Sequence, residues 1–379
     1  MGTNKTIKII QLALLVVLVI VLSFVMLRGD FRGSVGHSFS GIVEYGGTLV
    51  EAKTESINAK TMKELVIDVN IADVIISKSG NEDLIVTEWT NDKEKKELFT
   101  LNHQQEKVSI TRPHKNYFGM TPKHKVEVKV PEHFEGNMVI CTSSGSINIE
   151  SSFKLENFTT QQSSGDLNVE AFIEAKVMQC SVSSGSIVMD QVKTETYNIS
   201  SSSGSSQIKH LEGAGVIGAS SGDIEIDLLS GENHILNASS GSIDIEKITG
   251  NAQVQTSSGE ISVDALNSES ILVKTSSGHI EIDSLAAAGM ISTTSGGIEV
   301  GSLVPMGSLK LESSSGSIEV ELAEESNCTL RADVSSGNIG GDVNWNYEDK
   351  HKKQATAKVG SGNGAEIQIS TTSGSIYVD

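Results

Sequence analysis

The triplet Ser-Ser-Gly, or a near variant, returns every 18 to 21 residues from Gly145 to Gly337. Its glycines are Gly145, Gly165, Gly185, Gly204, Gly222, Gly241, Gly259, Gly278, Gly296, Gly316 and Gly337, with a last one at Gly374. Self-similarity at this period marks a solenoid, in which each repeat supplies one layer of a stacked column. Between Gly337 and Gly374 the gap is 37 residues, about two repeats, so one layer there is expected to have lost its marker.

Counted from each glycine, apolar residues recur at offsets +2 and +4: Ile147 and Ile149, Leu167 and Val169, Ile187 and Met189, Ile224 and Ile226, Ile243 and Ile245, Ile280 and Ile282, Ile318 and Val320. The residues between them are mostly polar, and alternation with period two is the mark of a half-buried strand. Offset +7 is apolar again at Phe172, Val192, Leu211, Leu229, Ile248, Leu266, Leu285 and Leu303. A second alternating pair precedes the next glycine, as in Met138 and Ile140, Tyr197 and Ile199, Ile271 and Val273, Leu309 and Leu311, and Ile367 and Ile369. A repeat of about nineteen residues is too short for a strand–helix–strand crossover, which takes roughly 30. It suits one turn of a single-stranded parallel β-helix, with like residues stacked about 4.8 Å apart. The expected fold is therefore all-β, a solenoid of about 12 coils of 18–21 residues. Glycine suits a corner that needs positive φ, and the two serines before it are expected to stack and bond along the column.

Net charge is −19, and its location is informative. From residue 139 onward there are 12 Lys/Arg against 31 Asp/Glu, so all of the excess lies on the solenoid. Such a surface repels nucleic acid, and DNA or RNA binding is excluded as a class. Aromatics are only 4% of the chain, which argues against stacking platforms for sugars or bases. Glu225, Asp244, Glu281, Glu299 and Glu319 share offset +3, and Asp227, Glu246, Asp264, Asp283 and Glu321 share offset +5. These columns read first as a solvated face and second as a loose calcium-binding surface, since divalent cations relieve repulsion between stacked carboxylates. No cofactor and no dedicated metal site are expected. Cys141 and Cys180 fall two coils apart, too far for a disulfide, while Cys180 and Cys328 have inward parity. His210, His234 and His279 stand apart from other ligand types and read as surface residues.

Residues 9–27 form an apolar run broken only by Gln11 and Ser23, close to the length that spans a bilayer. Lys5 and Lys8 precede it, so residues 1–8 are expected in the cytoplasm, 9–27 as a single-pass transmembrane anchor, and the remainder outside. Residues 28–64 are expected to be a stalk with little regular structure, 65–138 an irregular β region covering the first coil, and 139–379 the solenoid. Within the irregular region the candidate strands are Leu65 to Asn70, Val74 to Ser77, Leu84 to Trp89, Val108 to Thr111 and Lys125 to Val130. After the strand Ser375 to Val378 no cap is expected, leaving an edge open to pairing and self-association.

The register Ser-Ser-Gly-x-Ile-x-Ile resembles a widespread bacterial family, the "putative adhesin" domain of unknown function that includes the LiaG-like proteins of Gram-positive envelope-stress operons. The resemblance extends to the strand Asp73-Val74-Ile75-Ile76, the strand Val126 to Pro131, and the closing segments Lys358 to Gly362 and Ser373 to Ile376. It covers residues from about 65 to 379 and implies a right-handed parallel β-helix with an envelope role and no catalytic residues to carry over. The repeats leave no long loop to build a cleft. The one expanded stretch, Asn344 to Lys353, carries Trp345, Tyr347, Glu348, Asp349 and His351, the candidate partner-contact loop. The leading expectation is a non-enzymatic, membrane-anchored rod at the cell envelope whose partners are proteins, wall material or cations. The alternatives are a self-assembling β-helical scaffold and a polysaccharide-degrading enzyme using Glu348, Asp349 and His351.

Overall fold

The computed structural model describes residues 47–92, 97–113 and 122–379, and among them every regular element is a strand. The first seven are β1 (Val50–Asn58), β2 (Glu64–Ile71), β3 (Asp73–Lys78), β4 (Asp83–Thr90), β5 (Thr100–Gln104), β6 (Lys107–Thr111) and β7 (His124–Val130). The regular winding follows in β8 (Asn137–Ser144), β9 (Ile147–Ile149), β10 (Phe153–Ser164), β11 (Leu167–Ser184), β12 (Ile187–Ser201), β13 (Ser206–Ala219), β14 (Ile224–Ala238), β15 (Ile243–Thr256), β16 (Ile261–Ser277), β17 (Ile280–Ser295) and β18 (Ile298–Ser315). The last seven are β19 (Ile318–Leu322), β20 (Cys328–Ser336), β21 (Ile339–Gly340), β22 (Asn346–Tyr347), β23 (Gln354–Val359), β24 (Ala365–Ser373) and β25 (Ile376–Val378).

From β8 to β18 each strand pairs in parallel with the one a turn earlier and the one a turn later, as a β-solenoid requires. The apolar offsets face inward. Ile147, Ile187, Ile224, Ile243, Ile280 and Ile318 are fully buried, and the second-strand residues Met138, Ile199, Val273, Leu309 and Ile367 join them in one continuous core. Offset +7 holds at Leu211, Leu229, Ile248, Leu285 and Leu303. It fails at Phe172, where a register shift between Val169 and Phe172 turns Ile173 into the core instead.

The corner glycine is required for a reason beyond φ. A Cβ built on any of the twelve would lie less than 3.0 Å from the backbone carbonyl oxygen of the corner one layer below. Gly145, Gly165 and Gly316 do have positive φ, but Gly259 and Gly278 hold the same corner without it. Close stacking of backbone on backbone thus excludes every side chain. The two serines before the glycine are exposed, as at Ser257 and Ser258. The hydroxyl that satisfies the corner comes instead from the buried residue preceding them. Thr256 Oγ1 donates to the Gly241 carbonyl at 2.9 Å, Thr275 to Gly259 at 3.1 Å, Thr293 to Gly278 at 3.1 Å and Ser313 to Gly296 at 3.0 Å. On the other side of the glycine a second ladder runs through side-chain oxygens. The Ser146 amide donates to Asp73 Oδ1, the Ser186 amide to Asp166 Oδ1 and the Ser242 amide to Asp223 Oδ1, at 2.8 to 2.9 Å.

Both ends of the column depart from sequence order. At the first end β2 and β3 lie between β8–β9 on one side and β6–β7 on the other, all parallel. At the far end β24 and β25 lie between β18–β19 and β20–β21. Antiparallel strands then cover the outermost layers: β4 and β5 pair with β7 and β6, β1 adds to β4, and β23 pairs with β20 and carries β22. Antiparallel cover of this kind protects a parallel edge from further pairing.

Several expectations are corrected by this arrangement. The solenoid does not begin at 139, because β2 and β3 are already one of its layers, with Ala72 beneath Gly145. The expected stalk, 28–64, contains the nine-residue strand β1, and its residues up to 46 lie outside the described ones. The expected 12 coils are ten consecutive turns, marked by Gly145 to Gly316, plus layers wound out of order. The 37-residue gap before Gly374 hides no unmarked layer: Gly374 stacks directly on Gly316, and Gly337 on Gly374. The edge expected to be open after Val378 is paired on both sides. The candidate anchor 9–27 and tip 1–8 lie outside the described residues, among which no helix is long and apolar enough to cross a membrane.

The corner geometry separates the roles of the triplet. Gly259→Ala is expected to cost on the order of 3 kcal/mol, because backbone cannot yield as a flexible side chain would. Ser258→Ala should stay within about 0.5 kcal/mol. Chemical denaturation of both variants checks the contrast.

Candidate functional site

The candidate contact loop turns out to be the cap of the far end. β22 and β23 form an antiparallel hairpin over β20, and its aromatic residues point back onto the solenoid. Trp345 Nε1 donates to the Gly340 carbonyl at 3.0 Å and the Tyr347 hydroxyl to the Ile339 carbonyl at 3.1 Å, while Lys352 lies over the Tyr347 ring. Asp349 closes the turn by accepting from the amides of Gln354, Lys353 and His351. Those bonds, the one from Gln354 foremost, hold its carboxyl below the usual range. A carboxylate held by three backbone amides stays ionised to lower pH and is a weaker base than a free one. Glu348 and His351 remain exposed. The structure brings the five residues together, for cap construction.

The carboxylate columns form the most distinctive surface. In the early turns cations alternate with acids across layers: Lys176 with Glu156, Lys154 with Glu174, Lys193 with Glu212 and Lys209 with Asp190, at 2.6 to 3.1 Å. From residue 222 to 322, with 15 Asp/Glu against three Lys, no lysine pairs with an acid across layers, and Lys310 meets Glu312 along its own strand. Glu225 faces Asp244 across one layer, and Glu281, Glu299 and Glu319 stack in three successive layers. The pairs Ile226↔Ile245 and Leu228↔Lys247 set Asp227 opposite Glu246, and the same alternation carries the column on through Asp264 and Asp283. Gly301 then interrupts it before Glu321. Partial burial first, and then Asp264, Glu225 and Glu260, push the Asp244 carboxyl above its ordinary value. Among the described residues no three His, Cys, Asp or Glu side chains converge on a metal-sized site.

Two buried polar sites were not legible as such. His234, expected at the surface, is 1% exposed; its Nδ1 accepts from the Tyr197 hydroxyl at 2.8 Å, and burial lowers its basicity. Tyr197 reaches it across the layer where Gly215 stands between them. In the first cap Glu88 is fully buried, with Arg112 Nε and His124 Nδ1 each 2.9 Å from Oε1 and the Phe99 amide donating to Oε2 at 2.7 Å. Arg112 also ties the cap to the column by donating to the Ile71 carbonyl. Glu88 keeps the inward parity of Leu84 and Val86, the one signal in the sequence that could have found it. Cys180 and Cys328 are buried as expected, all three cysteines are free, and burial pushes the Cys180 thiol up to about 12.

The Toastrack DUF4097 family profile matches residues 62–246 and 218–379, and the chain belongs to that family, whose function is unknown. No curated protein matches it. Crystal structures with similarity include a "putative lipid binding protein" from Parabacteroides distasonis, 18% identical over 65% of this chain and 96% of the other, with a TM-score of 0.41. A "putative adhesin" from the same organism is 15% identical over 68% and 99%, with a TM-score of 0.40. A "putative adhesin" from Parabacteroides merdae is 16% identical over 68% and 98%, with a TM-score of 0.38. Likeness this distant carries no ligand or partner across to this chain.

Removing one member of the buried cap cluster leaves a charge without its counter-charge. Glu88→Ala is therefore expected to cost about 3 to 5 kcal/mol, read as a loss of protection in β4, β6 and β7 by hydrogen exchange. The raised Asp244 carboxyl sets a pH dependence of defined sign. Below the ordinary value of 3.8 the group is protonated folded or unfolded, and its effect on stability is nil. As pH rises through that value and then through the raised folded one, ionisation resists folding and stability falls. Asp244→Asn should thus melt higher than the parent at pH 7 and equal to it near pH 3, with part of the gain lost in high salt.

Proposed function

We propose that this chain is a non-enzymatic, LiaG-like envelope protein, anchored by residues 9–27 and holding its solenoid outside the cytoplasm, where the carboxylate face binds cationic partners. The observation that carries this reading is the excess of carboxylates between Gly222 and Gly316, where no lysine pairs with an acid across layers, on a sheet whose earlier turns pair four of their acids with lysines one layer away. A rigid, regularly spaced anionic surface attracts basic protein segments directly and anionic wall polymers only through divalent bridges. Loose calcium binding along the columns belongs to the same reading. The hairpin residues Glu348, Asp349 and His351 offer no support for sugar cleavage, since Asp349 is consumed by the turn.

Two measurements test it. A reporter that is active only outside the cytoplasm, fused after residue 379, should be active and should lose activity when 9–27 is deleted; activity confined to a cytoplasmic reporter would overturn the topology. Calcium titration by calorimetry should give millimolar binding that weakens when Glu281, Glu299 and Glu319 become glutamine together. Unchanged heat in that triple variant would remove the face as the binding surface.

A further inference from the structure

We propose that the slot between β18–β19 and β20–β21 is a strand-exchange site, filled within one chain by its own β24–β25 and equally able to take that segment from a second copy. The winding order is the first ground. β24 pairs with β18 through Leu309↔Ile367 to Ser315↔Ser373 and with β20 through Cys328↔Ala365 to Ser336↔Ser373, although both neighbours precede it in the chain. The layer is therefore inserted between two others instead of being laid on top.

The second ground is what an empty slot would expose. Ile367, Ile369, Ile376 and Val378 are essentially inaccessible, and Thr371 donates to the Gly316 carbonyl at 2.9 Å. Without the segment, two rows of backbone donors and acceptors and a length of apolar core would face water. The slot must be filled, and its contacts are the same whichever copy fills it.

The tether decides which copy does. Residues 360–364 read Gly-Ser-Gly-Asn-Gly, and their turn holds Gly360 at φ 65° and Gly362 at φ 68°. The turn is closed by the Gly362 amide on the Val359 carbonyl at 3.2 Å and by Thr329 Oγ1 on the Gly362 carbonyl at 2.9 Å. A Cβ on Gly362 would also lie 2.8 Å from Lys358 Cδ. An opened tether running to a neighbour needs neither left-handed residue. A short flexible connection keeps a chain's own segment at an effective concentration in the millimolar range, so exchange is favoured only by crowding of copies or by a weakened turn.

Gly362→Ala weakens the turn without touching the slot. Two tethers open per exchanged dimer, so the dimerisation constant should rise roughly a hundredfold, read by light scattering on the full chain. Ser315 and Ser373 are exposed register partners, which gives a direct readout. Chains carrying Ser315→Cys alone and Ser373→Cys alone, refolded together at millimolar concentration, are expected to form a disulfide-linked heterodimer. A partner carrying Ser203→Cys in place of Ser373→Cys should form none. The double variant in one chain, refolded dilute, should close its disulfide internally and so reports native register independently of Gly362→Ala. Heterodimers that form equally with Ser203→Cys, or monomers only in the Ser315→Cys and Ser373→Cys mixture, would overturn the proposal.

Discussion

Everything in this molecule depends on backbone stacking directly on backbone at one corner. The corner carbonyl of each layer occupies the volume where the next layer's Cβ would be, so only a residue without a side chain fits. The same contact fixes register, since slipping by one residue would drive a serine into that carbonyl and turn every core residue to solvent. Buried threonines and serines then bond the corner carbonyls, and a ladder of Asp and Ser side-chain oxygens holds the amides that follow. A narrow core of Ile, Val and Leu is enough between such corners because each layer repeats the packing of the last.

A column built this way has two vulnerable ends, and the chain protects both by the same device. Neither outermost parallel layer is built from the first or last pair of parallel strands described; those pairs, β2–β3 and β24–β25, are clamped one layer inside, between neighbours on both faces. The outer layers are then closed by antiparallel strands. Fraying is suppressed where it would begin, and the segment most exposed to loss gains a full set of backbone bonds. The far cap uses Trp345 and Tyr347 as its fastening, and the near cap uses the buried Glu88, Arg112 and His124 cluster.

Charge follows a different logic from packing. In the early turns four surface acids, Glu156, Glu174, Asp190 and Glu212, each meet a lysine one layer away, which offsets part of the negative charge along the axis. The later turns leave carboxylate facing carboxylate, and burial first, with those neighbouring charges second, raises the Asp244 carboxyl. A fold that needs only its inward residues leaves its outward ones free, and this chain has used that freedom to hold a field of one sign.

The winding unit was legible in the sequence because it repeats: offsets +2, +4 and −5 are buried turn after turn, and five strands of the first 138 residues fell within a residue or two of their observed ends. Local pattern also located the carboxylate columns. It could not locate Glu88 or His234 in the interior, because a polar residue of inward parity reads as an exception until its partners, 11 to 37 residues away, are in place. Nor could it order the layers at the ends. Parallel strands of identical pattern stack equally well in any sequence, so β24 beside β18 or beyond β20 has the same local signature. The path of the chain through the five-residue connections 323–327 and 360–364 made that choice, and with it turned an expected open edge into a closed one and set the candidate contact loop on the far cap.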